Sequence, residues 1–293
     1  MRLIRVEHRA ERFWALLDGD GTCLQRIRAP FAEWAGNGGA PAPTQLALDK
    51  VGIALAQCRV LPPLEPGARV FGVGLNYLSH LERLGSAAPE HPLGYIKPES
   101  ALVGAWDDIQ YPALTAQLDY EVELVAVVGR ALTDEPHATD CLLGYTCGND
   151  ISARDAGKRI ARLDLLTQKA MDRTTPCGPW VVTLDEFGSG QPQLDIALAV
   201  NDERRQFDNT RQMLFPIDEL LNYVDARITL QPGDLLFTGS THGVGLEDGR
   251  FLQPGDQVQV HIERIGSMSN RVSVPRLLSP ARSAGRLGQP DAR

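Results

Sequence analysis

The sequence predicts an α+β fold that is mostly β, and three observations carry the prediction. Short runs rich in Val, Ile, Leu, Phe and Tyr recur along the chain, broken by Gly and Pro. Runs with helical spacing are few. No regular alternation of strand and helix supports a doubly wound parallel sheet.

Turn and loop signals set residues 1–65 apart as a small N-terminal domain, before a main unit over 66–275. Within the first, RFWALLDGDGTCLQRI predicts two strands joined at an Asp-Gly-Asp-Gly turn. FAEWAGNGGAPAPTQ reads as loop, and the proline-rich VLPPLEPGARV as the connector that closes the domain. Beyond it, RVFGVGLNY, LDYEVELVAVV, GPWVVTL, LDIALAVND, DLLFTGS and DQVQVHIERI have strand composition. LQPGD occurs twice, at 230–234 and 252–256. Each Pro-Gly fits the centre of a tight turn, and a strand is expected after each. FPIDELLNYV predicts a helix with Pro216 at its first position, and a second helix is expected over KRIARLDLLTQKAM. The tail at 276–293 is polar and aperiodic, which predicts disorder.

Composition narrows the partners. A net charge of −8 disfavours nucleic acid and anionic membrane surfaces, which both attract basic patches. No apolar run reaches the ~18 residues of a membrane span. The charged N-terminus lacks the apolar core of a signal peptide. The five cysteines are scattered without a CxxC pair, so they read as reduced thiols of a cytoplasmic protein. Dinucleotide, P-loop, GxSxG and HExxH signatures are missing.

LDYEVELVAVV poses a chemical question. Residues two apart on a strand share a face, so Asp119, Glu121 and Glu123 point the same way, followed by Val125 and Val127. A wet edge strand would explain the acids. A face that becomes buried instead sets like charges together unless a cation compensates them. Two carboxylates with a third oxygen ligand would suit a hard cation. Asp150, after a Gly-Asn pair in GYTCGNDISARDA, is the candidate third ligand, and turn capping is its alternative role.

GVGLNYLSH, YIKPESALVG, LDYEVELVAVVG, GYTCGNDISARD, KAMDRTTPCGPWVVT, VNDERRQFDNTRQMLF, LQPGDLLFTGSTHGVG and PGDQVQVHIERIG follow one another in that order. Together they resemble the fumarylacetoacetate hydrolase family over about residues 60–270. The resemblance implies a mixed, mostly β roll beside a small N-terminal α/β domain, assembled as a homodimer. It implies Mg²⁺ or Mn²⁺, with Ca²⁺ possible, held by Glu121, Glu123 and Asp150. The cation is then expected to chelate a keto acid substrate and stabilise the enolate formed from it.

Further roles come from the same resemblance. Lys169 matches the family's active-site lysine and His80 its histidine base. The glutamate that usually follows the histidine by three residues is Arg83 here, so Glu82 is the available orienter. Gly157 stands where the family often has a substrate glutamine, and the usual Thr-Gly-Thr-Pro loop reads TGST, leaving Ser240 as a polar substrate contact. Arg154 would pair with a substrate carboxylate or serve a structural ion pair. The first reading is cleavage of a C–C bond in an acylpyruvate-like or 2,4-diketo acid. The alternative is a decarboxylase or enol–keto isomerase, which needs no activated water. A protein that binds a keto acid without turnover, or one recruited to a specialised pathway, is the reading from another class.

Overall fold

The computed structural model describes residues 1–35, 41, 43–133, 137–156, 164–188 and 190–274. A 12-stranded mixed sheet runs through the molecule, with a 4-stranded and a 2-stranded sheet beside it. The strand Val122–Val128 lies inside the large sheet, antiparallel to Leu142–Asn149 on one side and to Leu235–Phe237 on the other. Leu142–Asn149 leads outward to Thr175–Thr183. Leu235–Phe237 leads the other way to Val70–Gly74, in parallel, and then to Leu93–Lys97.

Burial on both faces explains why Val122–Val128 is apolar at almost every position. Val122, Leu124, Ala126 and Val128 enter a core shared with the 4-stranded sheet and with Ile217, Leu220, Leu221 and Val224 of the helix Ile217–Asp225. Val125 and Val127 point into a second core with Leu3, Trp14, Phe31 and Trp34. Pro216 precedes the helix as its N-cap.

The expected strands are present, and both LQPGD segments turn as read. Gly233 and Gly255 have φ of +92° and +99°, which a side chain would strain. In each turn the Asp carboxylate accepts from the backbone N–H of the Gln three residues earlier. The strands Leu235–Phe237 and Gln257–Ile262 follow.

Three local features differ from expectation. FAEWA is not loop: Phe31–Ala35 is a short helix whose Phe31 and Trp34 pack on Trp14 with ring centroids 5.2 and 5.8 Å away. Its aromatic residues, three apart, meet on one helical face. The N-terminal residues form a strand, Arg2–His8, that pairs with Thr175–Thr183 through Arg2↔Val182 and Leu3↔Val181. The sheet therefore crosses the expected boundary near residue 65 without interruption. The strand over LDYEVELVAVV also breaks, into Leu118–Asp119 and Val122–Val128. Of the helix expected over KRIARLDLLTQKAM, Leu165–Lys169 is helical, capped by Asp164, which accepts from the Thr167 N–H at 3.0 Å. Gly157 and the tail at 276–293 lie outside the described residues.

Candidate metal centre and active site

The strand break assembles the acids. At the break the Glu121 N–H donates to the side chain of Asn149 at 3.0 Å, and the Asp150 N–H donates to the Glu121 carbonyl at 2.8 Å. Val122 is registered against Asn149, so Asp150 follows its strand directly beside the glutamates. Buried Gln206 reaches across from Glu203–Asn209 and accepts the Val122 N–H at 2.9 Å. The Gly239 N–H holds Glu123 at 2.8 Å. Gly239 has φ +98°, and a Cβ there would lie 2.6 Å from that of Asn76, so only glycine fits. Glu121, Glu123 and Asp150 are buried, and each offers a carboxylate oxygen within 4.8 Å of the others.

Cations surround the cluster. Lys169 donates to Glu121 at 2.5 Å and to Asp150 at 2.6 Å. Lys97, fully buried at its side chain, donates to Asp150, as does the Tyr95 hydroxyl. Arg154 donates through Nε to Asp119 at 2.7 Å and through a terminal nitrogen to Glu121 at 2.5 Å. Burial alone would raise the pKa of Asp150, but the Lys169 and Lys97 ammonium groups reverse this and hold it well below the usual range. Glu121 is likewise lowered: burial opposes ionisation, and Lys169 and Arg154 outweigh it. Glu123 goes the other way, pushed well up by burial and then by the charges of Asp150 and Glu121.

The donor set fits a divalent cation. With Asp119 included, four buried carboxylates face three cations, Lys97, Arg154 and Lys169, and Glu123 has no ion-pair partner among the described residues. The uncompensated charge lies among hard oxygen donors, the set that Mg²⁺ and Mn²⁺ prefer.

His80 reaches the same cavity from the helix Leu78–Leu84. Its Nδ1 lies 2.8 Å from Glu247 Oε1, and the other Glu247 oxygen accepts the Gly243 N–H at 2.9 Å. Glu82, the expected orienter, is exposed instead, because two positions along a helix points it away from the His80 face. Glu247 belongs to the short helix Gly245–Asp248. The first N–H groups of that helix, Gly245 and Leu246, donate to Asp119 at 2.6 and 3.0 Å. A Cβ on Gly245 would meet Asp119 at 2.8 Å, so the close approach requires glycine. The cavity measures about 260 Å³ and is lined by His80, Tyr95, Glu121, Arg154 and Lys169, with leucines around them.

The expected substrate contacts are placed differently. Ser240 is buried, donating to the Val122 carbonyl at 3.0 Å and accepting from Gln206 at 3.0 Å. It fastens the loop to the strand of Glu123 rather than lining the cavity. Arg154 lines the cavity but spends both named donors on Asp119 and Glu121. Sequence reasoning passed over Tyr95, Lys97, Gln206 and Glu247. Tyr95 and Lys97, two apart in YIKPES, carry the same one-face signal as the glutamates.

Fold and site together define a mostly β, mixed-sheet enzyme with a buried carboxylate cluster suited to a divalent cation. Comparison with known proteins agrees. The profile described as "Fumarylacetoacetate (FAA) hydrolase C-terminal" matches residues 69–273. Oxaloacetate tautomerase Fahd2a, mitochondrial, of Rattus norvegicus is 36% identical over 225 residues, 75% of this chain and 71% of that protein. The crystal structure of 5-carboxymethyl-2-hydroxymuconate delta-isomerase from Mycobacterium smegmatis superposes with a TM-score of 0.77 at 32% identity, covering 93% of this chain and 99% of the other. Fumarylpyruvate hydrolase from Pseudomonas aeruginosa, solved in complex with Mn²⁺ and pyruvate, gives 0.64 at 30% identity, covering 74% and 92%. The chain belongs to the fumarylacetoacetate hydrolase family, whose members include hydrolases, isomerases and tautomerases.

Proposed function

We propose that this protein interconverts the enol and keto forms of a small 2-oxo acid. The carrying observation is His80, held by Glu247 in the cavity of the carboxylate cluster. With Nδ1–H donated to Glu247, Nε2 is left as the basic nitrogen. His80 takes the proton from C3 of the keto form, the C–H pair becomes the C2–C3 double bond, and the proton is returned at the 2-oxygen. Glu121, Glu123 and Asp150 would hold the divalent cation, whose Lewis acidity polarises the 2-oxo and carboxylate oxygens of the substrate. Lys169 keeps Glu121 and Asp150 ionised and oriented for that role. Proton transfer between the enol and keto forms needs no activated water. Similarity to a named tautomerase and a named isomerase supports this reading.

C–C cleavage is the second reading. Glu247 supplies the orienting carboxylate that the sequence around His80 lacks, and a paired histidine can also activate water. One assay separates the two. With Mg²⁺, the loss of enol absorbance from a 2-oxo acid should accelerate without release of acid or CO₂. Stoichiometric pyruvate and acetate from acetylpyruvate would establish hydrolysis instead, and pyruvate with CO₂ from oxaloacetate a decarboxylase. His80→Asn should lower enol–keto turnover by roughly 10²–10⁴ while metal affinity stays unchanged.

A further inference from the structure

We infer that Leu75 sets the size limit for the part of the substrate beyond C3. The inference rests on the 2-oxo acid reading and deepens it. Leu75, Leu84, Leu93, Leu165 and Leu246 form an apolar wall around the cavity. Of these five, only Leu75 has a positive φ, +57°. That conformation is uncommon for a residue with a side chain and costly for a bulky one, because Cβ crowds the backbone. It persists only where the surrounding structure holds it in place.

Asn76 supplies that hold. It is fully buried. Its amide donates to the Phe215 and Thr238 carbonyls at 3.1 and 2.8 Å, and its side-chain oxygen accepts the Phe215 N–H at 2.8 Å. The Asn76 carbonyl accepts the Leu214 N–H at 2.8 Å. A leucine on a relaxed loop yields to a larger ligand by shifting its backbone. The backbone after Leu75 is pinned, so a ligand that reaches this side chain meets a fixed stop.

Strand register locates the stop. Tyr95 and Lys97, alternate residues of the strand Leu93–Lys97, both donate to Asp150. Leu93 continues their face, about 7 Å farther along the strand from Tyr95. Gly74 is registered against Leu93, and Leu75 follows Gly74. Leu75 therefore belongs to the end of the cavity away from Asp150. A 2-oxo acid held beside the acids by its carboxylate and 2-oxo oxygens turns its remaining carbons toward that end.

The test compares pyruvate with phenylpyruvate, which adds a phenyl ring at C3, by calorimetry on the Mg²⁺-loaded protein. Leu75→Gly removes the stop and suits the left-handed backbone. It should raise the affinity for phenylpyruvate relative to pyruvate by about tenfold, and Leu75→Phe should lower it by about tenfold. Affinities for Mg²⁺ and for pyruvate should stay close to wild type in both variants. A ratio unmoved in either variant, or moving the same way in both, would overturn the inference. A wild type that binds no pyruvate would overturn the 2-oxo acid reading and the inference with it. The expected opposite shifts without enol–keto turnover would overturn the activity and leave the inference standing.

Discussion

Glu123 carries the charge that its neighbours leave unbalanced, and its burial makes that costly. Its pKa in the folded protein lies above the ordinary carboxylate value, because burial first and then Asp150 and Glu121 disfavour ionisation. The folded state therefore binds this proton more tightly than the unfolded state. Stability of the metal-free protein is eroded as pH rises above the ordinary carboxylate range. Glu123→Gln keeps an acceptor for the Gly239 N–H and removes the charge. It should stabilise the metal-free protein by about 1 kcal/mol at neutral pH and abolish Mg²⁺ binding, read by urea denaturation and by calorimetry. Lys97→Met should do the reverse. It strips a fully buried partner from Asp150 and should cost about 3 kcal/mol in the same denaturation assay. The acids were legible because strand periodicity puts Glu121 and Glu123 on one side and burial makes that arrangement chemically loaded. Glu247 was not legible: it meets His80 across 167 positions of chain, and no local pattern announces such a contact.

At the scale of elements, the decisive feature is a strand that breaks between its two halves. Hydrophobic patterning extends through Leu118–Asp119 and Val122–Val128, so the sequence reads as one strand. The interruption depends on Asn149 and Gln206, distant side chains that satisfy the freed N–H groups of Glu121 and Val122. Gln206→Leu should weaken Mg²⁺ binding by roughly 10-fold, the usual effect of removing a group that orients ligands. Titration of the folded protein separates this from simple loss of stability. Strand contact is equally exacting at Gly144, where a Cβ would come within 2.0 Å of the Val182 carbonyl oxygen on the neighbouring strand. Gly144→Ala should therefore cost about 3 kcal/mol, measured as a lowered urea midpoint. The twin LQPGD turns were legible for the opposite reason: turn chemistry is written in adjacent residues.

Over the whole molecule, the N-terminal strands extend the sheet that carries Glu123. Leu3, Trp14 and Trp34 share a core with Val125 and Val127, on the same strand as Glu123. Calorimetric unfolding should accordingly show one cooperative transition. Deletion of residues 1–65 should leave a chain that aggregates or lacks near-ultraviolet dichroism, because it uncovers that core. The sequence conveyed composition and turns well enough to set this region apart. It gave no sign that Arg2–His8 would find Thr175–Thr183, since pairing across so long a separation leaves no local mark. The same tight integration governs Asp119. One carboxylate grips Arg154, which rests on Glu121, and also the start of the helix whose Glu247 steadies His80. Arg154 beside the acid cluster and the Glu247 that steadies His80 are thus hung from a common bracket. Neither can be re-aimed without dragging the other, so new specificities would have to arise from the leucines of the wall while that bracket stays fixed.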